Sequence, residues 1–129
     1  MNTYFSGYSS MTRVLVIDDE PVLRELMCEL VEERGGKPIA LASADAGMAY
    51  LENHVDEIGL LVTDVRMPGL LDGHALARLV LDRWPELPVV ITSGYDGELL
   101  YRVPENAQFI AKPWDVAQFQ AVIEPYLLD

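Results

Sequence analysis

The feature that most constrains this chain is a series of five short, largely apolar segments: RVLVI at 13–17, KPIAL at 37–41, GLLVT at 59–63, PVVIT at 88–92 and QFIA at 108–111. Each has the length of a strand, and none keeps the strict polar–apolar alternation of a strand with one face in water. Between them stand segments with helical spacing. Pro21 to Arg34 opens on a proline and closes at Gly35-Gly36, Ala44 to Asn53 follows a Ser43 cap, and Gly73 to Trp84 follows Asp72. A weaker piece surrounds Glu98 to Arg102, and Asp115 to Tyr126 closes the chain. Strands apolar on both faces and separated by helices read as a mostly parallel sheet covered on each side, because right-handed crossovers place the helices there. The fold class is α/β, a doubly wound five-stranded parallel sheet.

A chain of 129 residues, half of them apolar, is the size of one domain able to bury its own core. Residues 1–11 lack periodicity and read as a flexible N-terminal tail, with Met11 as an alternative start, and the domain is expected over 12–129. No apolar run reaches the roughly 18 residues of a membrane span, and the N-terminus lacks the basic start and apolar middle of a leader, so the chain reads as cytoplasmic. A formal charge of -12 offers nucleic acid and anionic lipid little to hold. The single cysteine, Cys28, excludes an internal disulfide and a cysteine zinc site.

In doubly wound sheets, ligands gather beyond the carboxyl ends of the strands. Here those ends carry Asp18 and Asp19 after the first strand, Asp64 after the third, Thr92 and Ser93 at the fourth, and Lys112 after the fifth. No glycine-rich phosphate loop accompanies them, and His54 and His74 lie away from the strand ends. Oxygen ligands from two or three carboxylates suit Mg²⁺, and a carboxylate is itself a nucleophile in phosphoryl transfer. Taken singly, each residue has an ordinary reading. Asp18 or Asp19 could cap the helix that Pro21 opens, Asp64 and Ser93 could be turn residues, and Lys112 a solvated side chain. Their joint occurrence at successive strand ends favours a shared site.

The series IDDEP (17–21), TDVRMPG (63–69) with DG at 72–73, ITSG (91–94) and AKPW (111–114) resembles the receiver domain of two-component response regulators over roughly residues 12–128. The resemblance implies a flavodoxin-like sheet of order 2-1-3-4-5 and assigns roles. Asp64 matches the phosphoacceptor, Asp19 a direct Mg²⁺ ligand, Asp18 an acid acting on the metal through water, and the backbone carbonyl of Arg66 a further ligand. Ser93 and Lys112 match the hydroxyl and ammonium that meet the phosphoryl group, Phe109 the aromatic switch, and the Lys112-Pro113 bond is expected to be cis. Such a domain catalyses only its own phosphorylation and dephosphorylation, taking phosphate from a histidine kinase or histidine phosphotransfer protein and passing its state to a downstream protein target. A stand-alone regulator, a phosphate shuttle or sink, and a receiver belonging to a larger hybrid kinase or regulator all fit. A Mg²⁺-dependent phosphohydrolase and a degenerate, binding-only receiver are the readings from other classes.

Two departures from the family pattern stand out. One extra residue separates Pro68 from Asp72-Gly73, and the segment between Ser93 and Lys112 holds Gly94, Gly97 and Pro104, which predicts a short or irregular fourth helix. Arg66 and Tyr95 flank the site, and either they screen an acyl phosphate from water or they are exposed loop residues with no kinetic role. The first helix carries a wide apolar stripe, which either leaves Leu23 and Leu26, with Pro113 and Trp114, as a docking patch for the phosphodonor or is buried more deeply against the last helix.

Overall fold

The structure, a computed structural model, describes residues 11–65, 67, 69–94 and 107–127. The tail at 1–10, Arg66, Tyr95 and the segment expected around Glu98 to Arg102 lie outside the described residues. The strands are β1 (Arg13–Ile17), β2 (Lys37–Leu41), β3 (Leu60–Asp64), β4 (Val89–Ser93) and β5 (Ala107–Ala111). The helices are α1 (Pro21–Glu33), α2 (Ala44–His54), α3 (Gly73–Arg83) and α4 (Val116–Leu127). All strand pairs are parallel, in the order β2-β1-β3-β4-β5. This is the doubly wound parallel sheet expected from the alternation, in the 2-1-3-4-5 order that the resemblance implies.

Alternate residues of each strand face opposite sides, and the chain fills both with apolar groups. Leu15 and Ile17 of β1, Leu61 of β3 and Val89 and Ile91 of β4 pack with Leu51, Leu76 and Val80 of α2 and α3. Their neighbours Val14, Val16, Leu60, Val62 and Val90 pack on the other side with Met27, Leu30, Phe119 and Ile123 of α1 and α4. The three inner strands are buried and the two edges are not: Lys37 and Ala40 of β2 and Gln108 of β5 differ in this way from the wholly buried run Val14–Ile17. Pro38, which has no N–H to donate, sits in an edge strand where only one neighbour asks for ladder bonds.

Helix starts follow local chemistry. The Ser43 hydroxyl accepts from Ala46 N–H at 3.1 Å and the Asp72 carboxylate from Ala75 N–H at 2.7 Å. At α4, Asp115 accepts from Gln118 N–H while Gln118 returns a bond to Asp115 N–H, a reciprocal capping box. Helix α1 ends as its glycines predict, with Gly35 at φ +90 and its N–H on the Glu32 carbonyl. Gly73 answers a different need. Its N–H donates to the Val65 carbonyl at 2.9 Å, and α3 starts so close to β3 that a Cβ there would land on the Asp64 carbonyl oxygen.

Gly73→Ala is therefore expected to lower stability by on the order of 1–3 kcal/mol or more, since a backbone atom cannot rotate away as a side chain does. Gly94 has open space around its Cα, so Gly94→Ala should stay within about 0.5 kcal/mol of the parent. Urea unfolding of the two variants makes the comparison.

Candidate functional site

The parallel sheet delivers four strand ends, those of β1, β3, β4 and β5, to one rim. β1 ends at Ile17, paired with Thr63, so Asp18 follows directly beside Asp64, while Asp64 itself is in register with Thr92 and Ser93 with Ala111. The Lys112 N–H donates to the Ser93 carbonyl at 2.8 Å and fastens the exit of β5 to the end of β4. Carboxylate oxygens of Asp18, Asp19 and Asp64 lie within 4.8 Å of one another. The Lys112 ammonium stands among them, 3.2 Å from Asp64 Oδ2 and 3.6 Å from Asp18 Oδ2. Five of the residues expected at the site (Asp18, Asp19, Asp64, Ser93 and Lys112) are thus brought to one end of the sheet.

The three acids differ in environment. Asp18 is fully buried, Asp64 has a side chain 13% exposed, and Asp19 faces solvent. Asp64 Oδ1 accepts the N–H of Val65 at 2.8 Å, which fixes the carboxylate and leaves Oδ2 toward Lys112. Asp18 Oδ1 accepts the N–H of Glu20 at 2.8 Å, and Arg24 donates to the Asp18 carbonyl at 2.7 Å. That use of Asp18 displaces the simplest alternative for it: α1 is entered at Glu20 with no side-chain cap, and the carboxylate closes the turn before the helix instead. Asp18 Oδ2 is buried without a hydrogen-bond partner among the described residues. Burial pushes the Asp18 carboxyl above the usual carboxylate range. The Glu20 N–H and Lys112 pull it down, and the negative charges of Asp64 and Asp19 push it further up.

Beside the acids, Leu23, Lys112, Pro113 and Trp114 line an apolar pocket of about 420 Å³, with the Lys112-Pro113 bond cis. Trp114 stacks on Phe119 with ring centroids 4.7 Å apart. Leu26 is one turn further along α1, 37% exposed and away from that pocket, while Val22 is 83% exposed. The wide apolar stripe of α1 therefore divides, with Met27, Leu30 and Val31 in the core and Val22 and Leu26 toward solvent. Phe109, opposite Ile91, is half-buried against the α2 and α3 side of the core.

Three cooperating groups were not singled out by sequence reasoning. The Val65 N–H has no side-chain signature. Arg24 gave no signal beyond lying one turn into a helix after an acidic turn, and Asp45 reaches across from α2 to the amides of Leu70 and Leu71, 25 and 26 positions away.

The sequence profile of the response regulator receiver domain matches residues 14–124. The chain belongs to that family. This receiver is 36% identical over 110 residues to the C4-dicarboxylate transport transcriptional regulatory protein DctD of Rhizobium meliloti, a match covering 82% of the chain and 23% of that protein. It is 35% identical over 106 residues to the response regulator protein FleR of Pseudomonas aeruginosa, covering 80% and 22%. The chain spans about a quarter of the length of these relatives. Among solved structures, the receiver domain of NtrX from Brucella abortus superposes with a TM-score of 0.74 at 29% identity, covering 88% of this chain and 97% of that one. A response regulator receiver protein from Sinorhizobium medicae shares the fold at a TM-score of 0.84 and 24% identity, covering 92% and 96%.

The raised carboxyl of Asp18 sets a sign. The folded state holds its proton to higher pH than the unfolded chain does, so this residue lowers stability as pH rises from about 3.8 through its raised value. Asp18→Asn, which keeps an oxygen for the Glu20 N–H, should stabilise the metal-free protein at pH 7. The gain should shrink toward zero below the ordinary carboxylate pKa, as followed by denaturation across a pH series.

Proposed function

We propose that this receiver takes a phosphoryl group from a phosphohistidine partner onto Asp64, with Mg²⁺ held by Asp18, Asp19 and Asp64. The observation that carries the reading is the meeting of three carboxylates and one ammonium at the carboxyl ends of β1, β3 and β5. The donor set suits the ion, because Mg²⁺ takes oxygen ligands and the buried Oδ2 of Asp18 accepts no hydrogen bond among the described residues and has only the Lys112 ammonium, 3.6 Å away, as a counter-charge. By the family resemblance, Asp19 binds directly, Asp18 acts through water, and the Arg66 carbonyl completes the set. Held there by these residues, the ion would supply charge neutralisation for a phosphoryl group.

Asp64 Oδ2 is the oxygen free of the Val65 bond, and on this reading it attacks phosphorus. An O–P bond forms as the P–N bond to the donor imidazole breaks, and the imidazole leaves with the electron pair. Lys112 neutralises the incoming oxygens from where it stands, and the Ser93 hydroxyl donates to them. A phosphorylated Asp64 draws both groups in through charge-assisted hydrogen bonds, and Phe109, in register with Ile91 two residues before Ser93, is the side chain that repacks. Arg66 and Tyr95 are the proposed screens of the acyl phosphate. The donor docks on the apolar pocket of Leu23, Pro113 and Trp114, with exposed Leu26 extending the patch along α1. The receiver unit runs over 12–129, behind a tail at 1–11. Its balance of 21 acids against 9 Lys and Arg sets it to signal through protein contact rather than by touching nucleic acid itself. No helix of the described residues is long and apolar enough to cross a membrane.

Incubation with acetyl phosphate or phosphoramidate and Mg²⁺ should add one acid-stable, base-labile phosphoryl mass, and Asp64→Asn should abolish it. Absence of the mass with every donor would overturn the reading, and steady phosphate release from a generic phosphomonoester would favour the hydrolase. For the docking patch, Trp114→Ala should slow transfer from a phosphohistidine domain by about tenfold, the equivalent of roughly 1.4 kcal/mol. Its rate with acetyl phosphate should stay near the parent's, because the small donor needs no protein surface.

A further inference from the structure

We propose that Asp45 is a positioning residue for the phosphoacceptor, holding the chain that leaves Asp64 in the shape that sets its carboxylate; the inference rests on the assignment of Asp64 above. Asp45 is the second residue of α2, on the opposite side of the sheet from α1, and nothing in the acidic cluster touches it. Its carboxylate instead reaches the connection between β3 and α3. Oδ2 accepts the N–H of Leu70 at 2.8 Å and Oδ1 the N–H of Leu71 at 2.9 Å. Both oxygens are committed to two consecutive amides, and hydrogen bonds to an ionised acceptor are stronger than neutral ones. The first turn of a helix is also a favourable place for an acidic side chain such as Asp45.

The backbone is shaped around this contact. Gly69 sits at φ +121, a conformation that L side chains rarely adopt, and a Cβ there would run into Asp45 Oδ2. Leu70, at the tip, is 96% exposed, so packing does not hold the apex; the two amide bonds do, with the half-buried side chains of Met67 and Leu71 beneath. Among the described residues, two further fixed points of the connection converge on one residue. Val65 N–H holds Asp64 Oδ1, and the Val65 carbonyl receives the N–H of Gly73, where α3 begins. A loop released at its apex pulls on Val65 from both directions, and Val65 aims the carboxylate. The extra residue between Pro68 and Asp72, which lengthens this connection, makes an apex anchor more necessary, because a longer loop has more conformations to lose.

The test compares Asp45→Ala, which removes both acceptors, with Asp45→Asn, which keeps one. Phosphorylation of Asp64 by acetyl phosphate is followed over a range of Mg²⁺ concentrations, with amide hydrogen exchange at Val65 and Gly73 measured alongside. Asp45→Ala should slow phosphorylation about threefold to tenfold, below the roughly hundredfold that a misplacement of a full ångström costs. It should raise the half-saturating Mg²⁺ concentration and speed exchange at both amides, and Asp45→Asn should fall between it and the parent. A folded Asp45→Ala variant with parental phosphorylation rate, Mg²⁺ dependence and Val65 exchange, even at reduced stability, would overturn the proposal alone. A parent chain that accepts no phosphoryl group would overturn the assignment of Asp64, and the proposal with it.

Discussion

Everything at the functional end of this receiver depends on keeping a carboxylate, that of Asp18, in a fully buried position at the end of the inner strand β1. Two unit charges at about 4 Å repel by roughly 4 kcal/mol at an effective dielectric of 20, and three carboxylates share this space. The opposing term is the strand itself. Val14, Leu15, Val16 and Ile17 are completely buried, and each apolar side chain of this kind stabilises the fold by about 1.5–3 kcal/mol. Four such residues outweigh one crowded acid pair, so the sheet can carry the charge to its edge and stop there. Burial first, and then the charges of Asp64 and Asp19, push the Asp18 carboxyl above its usual range, and the Glu20 N–H and Lys112 offset only part of that. The fold thus holds unsatisfied negative potential in a fixed place, which is the property a cation site requires.

The sheet was legible because its signals are local. Apolar runs of strand length, Ser43 and Asp72 as caps, Pro21 at a helix start and Gly35-Gly36 at its stop each act within a few residues, and each appears in the structure at or within one position of where it was read. The gathering of Asp18, Asp64, Ser93 and Lys112 was legible for a different reason. Parallel strands of equal polarity bring their carboxyl ends together whatever the helices between them do, so residues 94 positions apart, such as Asp18 and Lys112, become neighbours by topology.

What the sequence did not disclose is mostly backbone and long-range. The 3-10 turn Val55–Glu57, the Val65 N–H on Asp64 and the approach of Gly73 to the Asp64 carbonyl involve main-chain atoms that every residue possesses. Asp45 resembles any first-turn acid until the fold places Leu70 and Leu71 over it. The division of α1 was only half readable. Six apolar positions on a helix exceed one face, but whether Leu26 or Leu30 lies inward depends on where α4 sits, and that is fixed by Phe119, Ile123 and the Gln120 amide, which donates to the Leu30 carbonyl and to Glu33.

Lys112 joins the two features that matter most for signalling. Its ammonium faces Asp18 and Asp64, while the residue as a whole lines the apolar pocket with Leu23, Pro113 and Trp114. Long cationic side chains do this readily, with an apolar stem against one surface and a charged head in another environment. Its main chain is fastened as well, through the N–H on the Ser93 carbonyl, so the residue cannot shift without moving the ends of β4 and β5. On the proposed reading, charge added at Asp64 acts on the ammonium, and a protein surface seated in the pocket acts on the stem. Any coupling between them is reciprocal by thermodynamic necessity: a partner that binds the phosphorylated form more tightly must stabilise that form by the same factor. On that reading, the pocket proposed for the donor is also a place from which the state of Asp64 can be read.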